Sequence, residues 1–127
     1  MDVTRFLNAT RHGRHYQGQI VRVENLAPRE ATYGELSSPL PEALQQVLAQ
    51  DDVEQLYTHQ VDAIEAAHRG EHFVVVTSTA SGKTLCYNIP VLETLLQEPK
   101  SKALYLFPTK ALAQDQLKTL KRYRSLA

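Results

Sequence analysis

Apolar residues recur along this chain in two periods, one of about three and a half residues and one continuous. Leu40, Ala43, Leu44, Val47 and Leu48 stand at i, i+3, i+4, i+7 and i+8, which predicts one buried face of a helix. Ser37-Ser-Pro-Leu-Pro41 introduces it, with serine as the expected cap and proline in the first turn. A second helix is expected from Thr58 as cap to Gly70, lined by Val61, Ile64 and Ala67 or His68. His72 to Thr77 and Ala103 to Phe107 are unbroken apolar runs rich in β-branched or aromatic residues. They read as strands covered on both faces, the pattern of a central parallel sheet.

Helical spacing returns after each strand. Leu85, Ile89, Leu92, Leu95 and Leu96 follow the first, interrupted by Pro90, and Ala113, Leu117 and Leu120 follow the second. Strand, loop, helix, strand, loop, helix is the order of an α/β fold, a parallel sheet with flanking helices joined by right-handed crossovers. Residues 1 to about 33 read as irregular, with Gln19 to Glu24 the only strand-like piece. The domain expectation is an amino-terminal extension over residues 1–35 and an α/β domain over 36–127.

Composition narrows the classes. At 127 residues and 43% hydrophobic content the chain can bury a core as one domain. Fourteen basic and fourteen acidic residues balance to zero, so any polyanion site must be local. Arg11-His-Gly-Arg-His15 is a small basic cluster that could touch a phosphate backbone or simply be solvated surface. The single cysteine, Cys86, excludes an intrachain disulfide framework and a cysteine-based zinc cluster. That usage fits a reducing compartment, and a cytoplasmic location is expected. No apolar run approaches the ~18 residues that span a bilayer, so no membrane partner is expected.

The chemistry gathers between the first strand and the next helix. Thr77-Ser-Thr-Ala-Ser-Gly-Lys-Thr84 carries the second half of a phosphate-binding loop, Gly82-Lys83-Thr84, with Thr77 where the general pattern has glycine. Thr79, Ala80, Ser81 and Gly82 would present backbone N–H groups to a triphosphate at a helix amino terminus. Lys83 would reach its outer oxygens and the Thr84 hydroxyl would bind Mg²⁺. ATP and Mg²⁺ are the cofactors expected. The bland alternative is a polar turn with a solvent-facing lysine.

Here the chain resembles the superfamily 2 DEAD/DEAH-box-like helicases, whose first motif often carries a small residue other than glycine at the place of Thr77. Leu56-Tyr-Thr-His-Gln60 resembles their Q-motif, in which a glutamine amide reads adenine by one donor and one acceptor. Gln60 would take that role, with Tyr57 or His59 as an aromatic wall. Phe107-Pro-Thr-Lys-Ala-Leu-Ala-Gln-Asp-Gln116 resembles motif Ia, which implies a nucleic-acid backbone contact through Pro108, Thr109 and Lys110. Alone, Thr109 would be an ordinary helix cap. The wording of all three motifs is most similar to the bacterial and fungal DNA helicases related to mitomycin repair factor A, which have a cysteine-rich carboxyl-terminal domain. The resemblance covers roughly Leu36 to Leu120 and implies the first part of a RecA-like domain, incomplete. It also implies an ATP-driven DNA helicase linked to repair, with single-stranded DNA and the further helicase domains as partners.

No Asp-Glu-x-His/Asp string, no Ser-Ala-Thr string and no second RecA-like domain with its arginine finger occur before Ala127. These residues alone are therefore expected neither to unwind DNA nor to hydrolyse ATP efficiently. The chain reads as the front of a longer protein or a truncated reading frame, and as marginal or aggregation-prone by itself. The alternatives are a non-catalytic nucleotide-binding or interaction module left by truncation, and a P-loop kinase, for which nothing supplies an acceptor site or lid.

Overall fold

The computed structural model describes residues 2–27, 30–78 and 81–126, and divides into two compact units, Met1–Glu30 and Ala31–Ala127. In the first unit, helix α1 spans Val3–Arg11, where the sequence reading expected irregular chain. Asp2 accounts for it: its carboxylate accepts from the Arg5 backbone N–H at 3.1 Å, a cap worth about 1 kcal/mol. Residues 19–24, expected as a strand, form no ladder among the described residues.

In the second unit β1 (Tyr33–Gly34) pairs antiparallel with β2 (Leu56–Tyr57), Tyr33 opposite Tyr57. Helix α2 (Glu42–Gln50) lies between them and α3 (Thr58–His68) follows β2 directly. Helix α2 starts one turn later than the serines predicted, after Pro41, whose carbonyl accepts from Leu44 and Gln45. The Ser37 N–H is instead spent on Glu65 Oε1 at 2.7 Å, and this bond holds the Glu65 carboxyl below its usual range. The predicted face is the buried one: Leu44, Val47 and Leu48 are each at most 5% exposed.

Helices α2 and α3 end in the same way. Val53 N–H reaches the Leu48 carbonyl and Asp52 N–H the Ala49 carbonyl; Glu71 and Gly70 repeat both bonds onto Ala66 and Ala67. This double closure needs a left-handed residue after the cap. Gly70 adopts it at φ 71°, as the sequence suggests, while at α2 it falls to Asp52 at φ 56°.

Helix α4 (Lys83–Gln97) runs uninterrupted through Pro90 and makes its main packing with α3. Ile64 and Ile89, both at 0% exposure, meet Leu44 and Leu48 in one cluster, with Leu36, Leu56 and Leu85 packed around it. At ~25 cal/mol per Å² of apolar surface, each such side chain contributes about 1.5–3 kcal/mol. His68 Nε2 and Glu93 Oε2, 2.7 Å apart, tie α3 to α4 beside that core. Helix α5 (Lys110–Leu126) packs on α2, where Asp51 Oδ2 accepts from Arg122 Nη2 at 2.6 Å and from the Tyr123 hydroxyl at 2.8 Å.

The runs 72–77 and 103–107 differ from expectation. Neither carries ladder bonds among the described residues, and each is covered on one side only. Val74 and Val76 are 87% and 88% exposed, Leu104 and Leu106 86% and 85%, while the residues between them face the protein. Tyr105 makes this concrete, with its hydroxyl on Asn88 Oδ1 at 3.0 Å and its ring edge-on to Tyr87. The period of two survives because one side chain in two has a helix to pack on. A ladder needs a second backbone about 4.8 Å away, and none lies there among the described residues.

Candidate functional site

The phosphate-binding turn is built from the start of α3. Gln60 is 2% exposed, and its amide spans two elements. Oε1 accepts from the Tyr57 N–H at 2.9 Å, closing the first turn of its own helix, and Nε2 donates to the Gly82 carbonyl at 2.9 Å. One residue earlier, His59 Nε2 donates to the Ser81 carbonyl at 2.9 Å, which fixes its proton on that nitrogen in this arrangement. Two consecutive carbonyls of the turn are thus tied to α3. Gly82 caps α4 in the left-handed region at φ 72°, and a Cβ there would run into the Gln60 amide. Glycine is required twice over at that position.

Lys83 turns back into the loop. Its ammonium donates to Ser78 O at 2.5 Å, Thr77 O at 3.1 Å, Thr77 Oγ1 at 3.2 Å and Ser81 Oγ at 3.3 Å. The hydroxyls of Thr77 and Ser81 are themselves 2.5 Å apart. Here lies a physical use for threonine in place of glycine: its hydroxyl closes the loop across its mouth and gives the lysine an acceptor. Thr84, half-buried in the first turn of α4, makes no side-chain hydrogen bond among the described residues. Thr79 and Ala80, expected to line the same loop, lie outside the described residues.

Beside the turn opens a groove of about 410 Å³ lined by Tyr33, Val53, Tyr57, Gln60, Gly82 and Leu85, among others. Tyr33 and Tyr57 form one wall of it, and His59 continues their ring stack outside its lining. Tyr33 stacks on Tyr57 at 5.3 Å between centroids, and Tyr57 on His59 at 5.7 Å, with interplanar angles of 16° and 11°. Tyr33 is the residue that sequence reasoning missed, since only its pairing opposite Tyr57 carries it there. A larger groove of about 820 Å³ shares Tyr33, Val53, Glu54 and Gln55 with it and continues along Leu36, Leu40 and Leu48, without reaching Gln60 or Gly82.

Pro108, Thr109 and Lys110 are exposed at the start of α5. Thr109 does act as a cap, its Oγ1 accepting from the Leu112 N–H at 3.3 Å. No hydrogen bond joins this segment to the Lys83 turn among the described residues. No group of three or more His, Cys, Asp or Glu suited to a metal occurs among them either, and no described helix is long and apolar enough to cross a membrane.

A turn that binds its own lysine, clasped by a glutamine from the preceding helix and flanked by an aromatic groove, is the arrangement that the sequence assigns to a phosphate-binding loop. Residues 57–126 match the DEAD/DEAH box helicase family, to which this chain belongs. It is similar to the uncharacterized ATP-dependent helicase YprA of Bacillus subtilis, 47% identical over 97 residues, which are 76% of this chain and 13% of that protein. The ATP-dependent helicase hrq1 of Schizosaccharomyces pombe is 44% identical over 121 residues, 93% of this chain and 11% of that one. A crystal structure of the DUF1998 helicase MrfA bound to DNA and AMPPNP superposes with a TM-score of 0.75 at 46% identity, covering 80% of this chain and 14% of that one. The α/β class and the incomplete RecA-like reading hold. The chain spans 11 to 14% of the length of these relatives.

Proposed function

We propose that this chain supplies the ATP–Mg²⁺ site and one nucleic-acid contact of an ATP-dependent DNA helicase, with residues 36–127 as the first part of its ATP-binding domain and residues 1–35 as an extension. The observation that carries the reading is the clasp of His59 and Gln60 on the Ser81 and Gly82 carbonyls. It holds the base-reading and phosphate-holding ends of the site in one rigid piece.

The amide inventory of Gln60 supports adenine. A glutamine has two donor hydrogens and two acceptor lone pairs on Oε1. One of each is spent on Gly82 and Tyr57, which leaves one of each, the pair that an adenine edge complements. Tyr57, with Tyr33 behind it, would provide the stacking wall. At the other end, Lys83 would exchange neutral loop oxygens for charged phosphate oxygens, a stronger class of hydrogen bond. Ser81 and Gly82, with Thr79 and Ala80 as the sequence pattern implies, would offer backbone N–H groups beside it. The Thr84 hydroxyl, which makes no side-chain hydrogen bond among the described residues, would offer Mg²⁺ one oxygen ligand, the kind of donor that ion prefers. Mg²⁺ bound there would neutralise charge on the β and γ oxygens.

Exposed Pro108, Thr109 and Lys110 would hold the phosphate backbone of a DNA strand, single-stranded by preference. The MrfA structure, bound to DNA and AMPPNP, supports both ligands for this chain. Hydrolysis is a different matter, because no Asp-Glu-x-His/Asp string lies within residues 1–127. An arginine finger alone is worth about 10³–10⁵ in rate in related enzymes, so these residues alone would bind ATP and turn it over poorly.

Titration of a fluorescent ATP analogue with Mg²⁺ against the chain and its Lys83→Ala variant tests the reading. Saturable binding weakened at least tenfold by the substitution is the expected result. Equal affinity would overturn it and leave the second reading, a non-catalytic interaction module, to which the ordinary capping role of Thr109 already conforms.

A further inference from the structure

The nucleotide reading leaves the first unit, Met1–Glu30, without a task, and its charge is uneven. Residues 3–23 contain four of the chain's fourteen basic residues, Arg5, Arg11, Arg14 and Arg22, and none of its fourteen acids. The rest of the chain is therefore net negative by four. We infer that Arg5, Arg11 and Arg14, on α1 and the turn after it, form a second nucleic-acid contact that binds backbone phosphates without regard to sequence.

Three observations favour this over a solvated surface. First, these guanidinium groups are exposed and have no ion-pair or hydrogen-bond partner among the described residues, whereas Arg22 is paired with Glu24 at 3.3 Å. Second, helix stability does not explain them. Arg11 in the last turn of α1 suits the helix dipole. Arg5 lies in the first turn, where a cation opposes the dipole, and its side chain makes no ion pair with the capping Asp2. Arg14 lies beyond the helix altogether. Third, the turn is held in shape. Gly13 N–H donates to Thr10 O and Tyr16 N–H to Gly13 O, both at 3.0 Å, while Gln19 Nε2 donates to His15 O at 3.1 Å. Cations on an ordered turn lose less entropy on meeting a phosphate than cations on a free tail. Guanidinium forks also match phosphate oxygens two at a time.

Nucleic acid is favoured over an anionic membrane surface. The apolar side of α1 is only Val3, Phe6 and Leu7, too little buried area for an interfacial helix. The inference does not depend on the ATP site, nor on Thr109 and Lys110.

The test measures binding of the 127-residue chain to a short fluorescein-labelled duplex and to its single strand by anisotropy, without nucleotide, across a salt series. Three chains are compared: wild type, the triple variant Arg5→Gln, Arg11→Gln, Arg14→Gln, and the triple Arg→Lys variant at the same positions. Loss of three phosphate contacts should lower the log–log salt slope on duplex by about 2 to 3 and weaken binding roughly tenfold to hundredfold at low salt. The lysine variant keeps the charge and should keep most of the slope. An unchanged slope in the glutamine variant overturns the inference. So does a lysine variant as weak as the glutamine one, or a glutamine variant that loses binding to phosphatidylserine vesicles alone. Thr109→Ala with Lys110→Ala, measured alongside, reports the contact of the proposed motor segment and leaves the arginine result independent of it.

Discussion

Gln60→Glu exchanges one NH₂ for an oxygen and leaves the shape of the side chain intact, so it isolates the donor that holds Gly82. Oε1 still accepts from Tyr57 N–H, but the second oxygen now faces the Gly82 carbonyl from about the 2.9 Å that Nε2 occupied. Two acceptors at that separation lose a bond worth about 1 kcal/mol and leave a buried oxygen unsatisfied at about 1–3 kcal/mol more. At 2% exposure the carboxylate cannot recover this from water. It responds by holding its proton, at about 1.4 kcal/mol for each unit by which its pKa is raised. A raised carboxyl pKa in the folded state means that stability is kept below the unfolded pKa of about 4.3 and lost as pH rises above it. At pH 7 the variant should therefore be less stable by about 2–4 kcal/mol, and near pH 4 close to wild type, because a protonated carboxyl can again donate to Gly82. Urea unfolding followed by circular dichroism reads this as a midpoint lower by roughly 1–2 M at the higher pH only. Equal midpoints at pH 7 would refute the clasp, and an equal loss at both values would refute the role of the donor.

Tyr33→Ala should weaken ATP-analogue binding several-fold, well short of the effect of Lys83→Ala, as measured in the same titration; no change would remove Tyr33 from the base wall. Tyr123, 5% exposed and bonded to Asp51, has its phenol pushed up to about 12, by burial first and the Asp51 bond second. Of the six tyrosines, one should then titrate last in absorbance at alkaline pH and vanish in Tyr123→Phe, and the stability it lends is lost as pH rises from about 10 to about 12. Asn88 is wholly buried, its Nδ2 without a partner among the described residues while Oδ1 takes the Tyr105 hydroxyl. Asn88→Leu alone should destabilise by about 1–3 kcal/mol, and adding Tyr105→Phe should recover most of it, since removing both polar partners is nearly neutral. A thermal-melt cycle with additive effects would count against the pairing. Asp52→Gly should be neutral or raise stability by up to about 1 kcal/mol, because glycine adopts the left-handed conformation without strain; a clear loss in urea unfolding would show that the Asp52 side chain matters there.

The α/β class and most of the turn could be read in the sequence because each rests on local spacing. Leu44, Val47 and Leu48 share a face by their spacing alone, and Gly82-Lys83-Thr84 is contiguous. What could not be read depended on distant partners. Tyr33 joins the groove through a two-residue ladder to a segment 24 positions away, and nothing around it advertises a strand. The runs 72–77 and 103–107 look alike whether one face or two is covered, because an apolar run records propensity and not how many layers surround it. Helix α1 was hidden by its brevity: Val3, Phe6 and Leu7 keep helical spacing for one turn only, with Asp2 placed three residues before Arg5 as the cap. The left-handed Asp52 was masked by a residue type that does not demand that conformation. Thr109 shows the remaining limit: the same hydroxyl caps a helix in both the ordinary and the nucleic-acid reading.

The four oxygens around the Lys83 ammonium make ligand entry an exchange. An arriving anion competes with a partner set already in place at far higher local concentration than any solute reaches. On the proposed reading, a weak or singly charged anion would gain too little to displace it, and the loop would discriminate by threshold as well as by shape. Inorganic phosphate, abundant wherever nucleotides are consumed, should scarcely occupy the site, whereas a triphosphate that also engaged Gln60 and the tyrosine wall would clear the threshold by pooling contacts from both ends. The lysine's own resting bonds would thus keep the site responsive to whole nucleotides in the presence of their fragments.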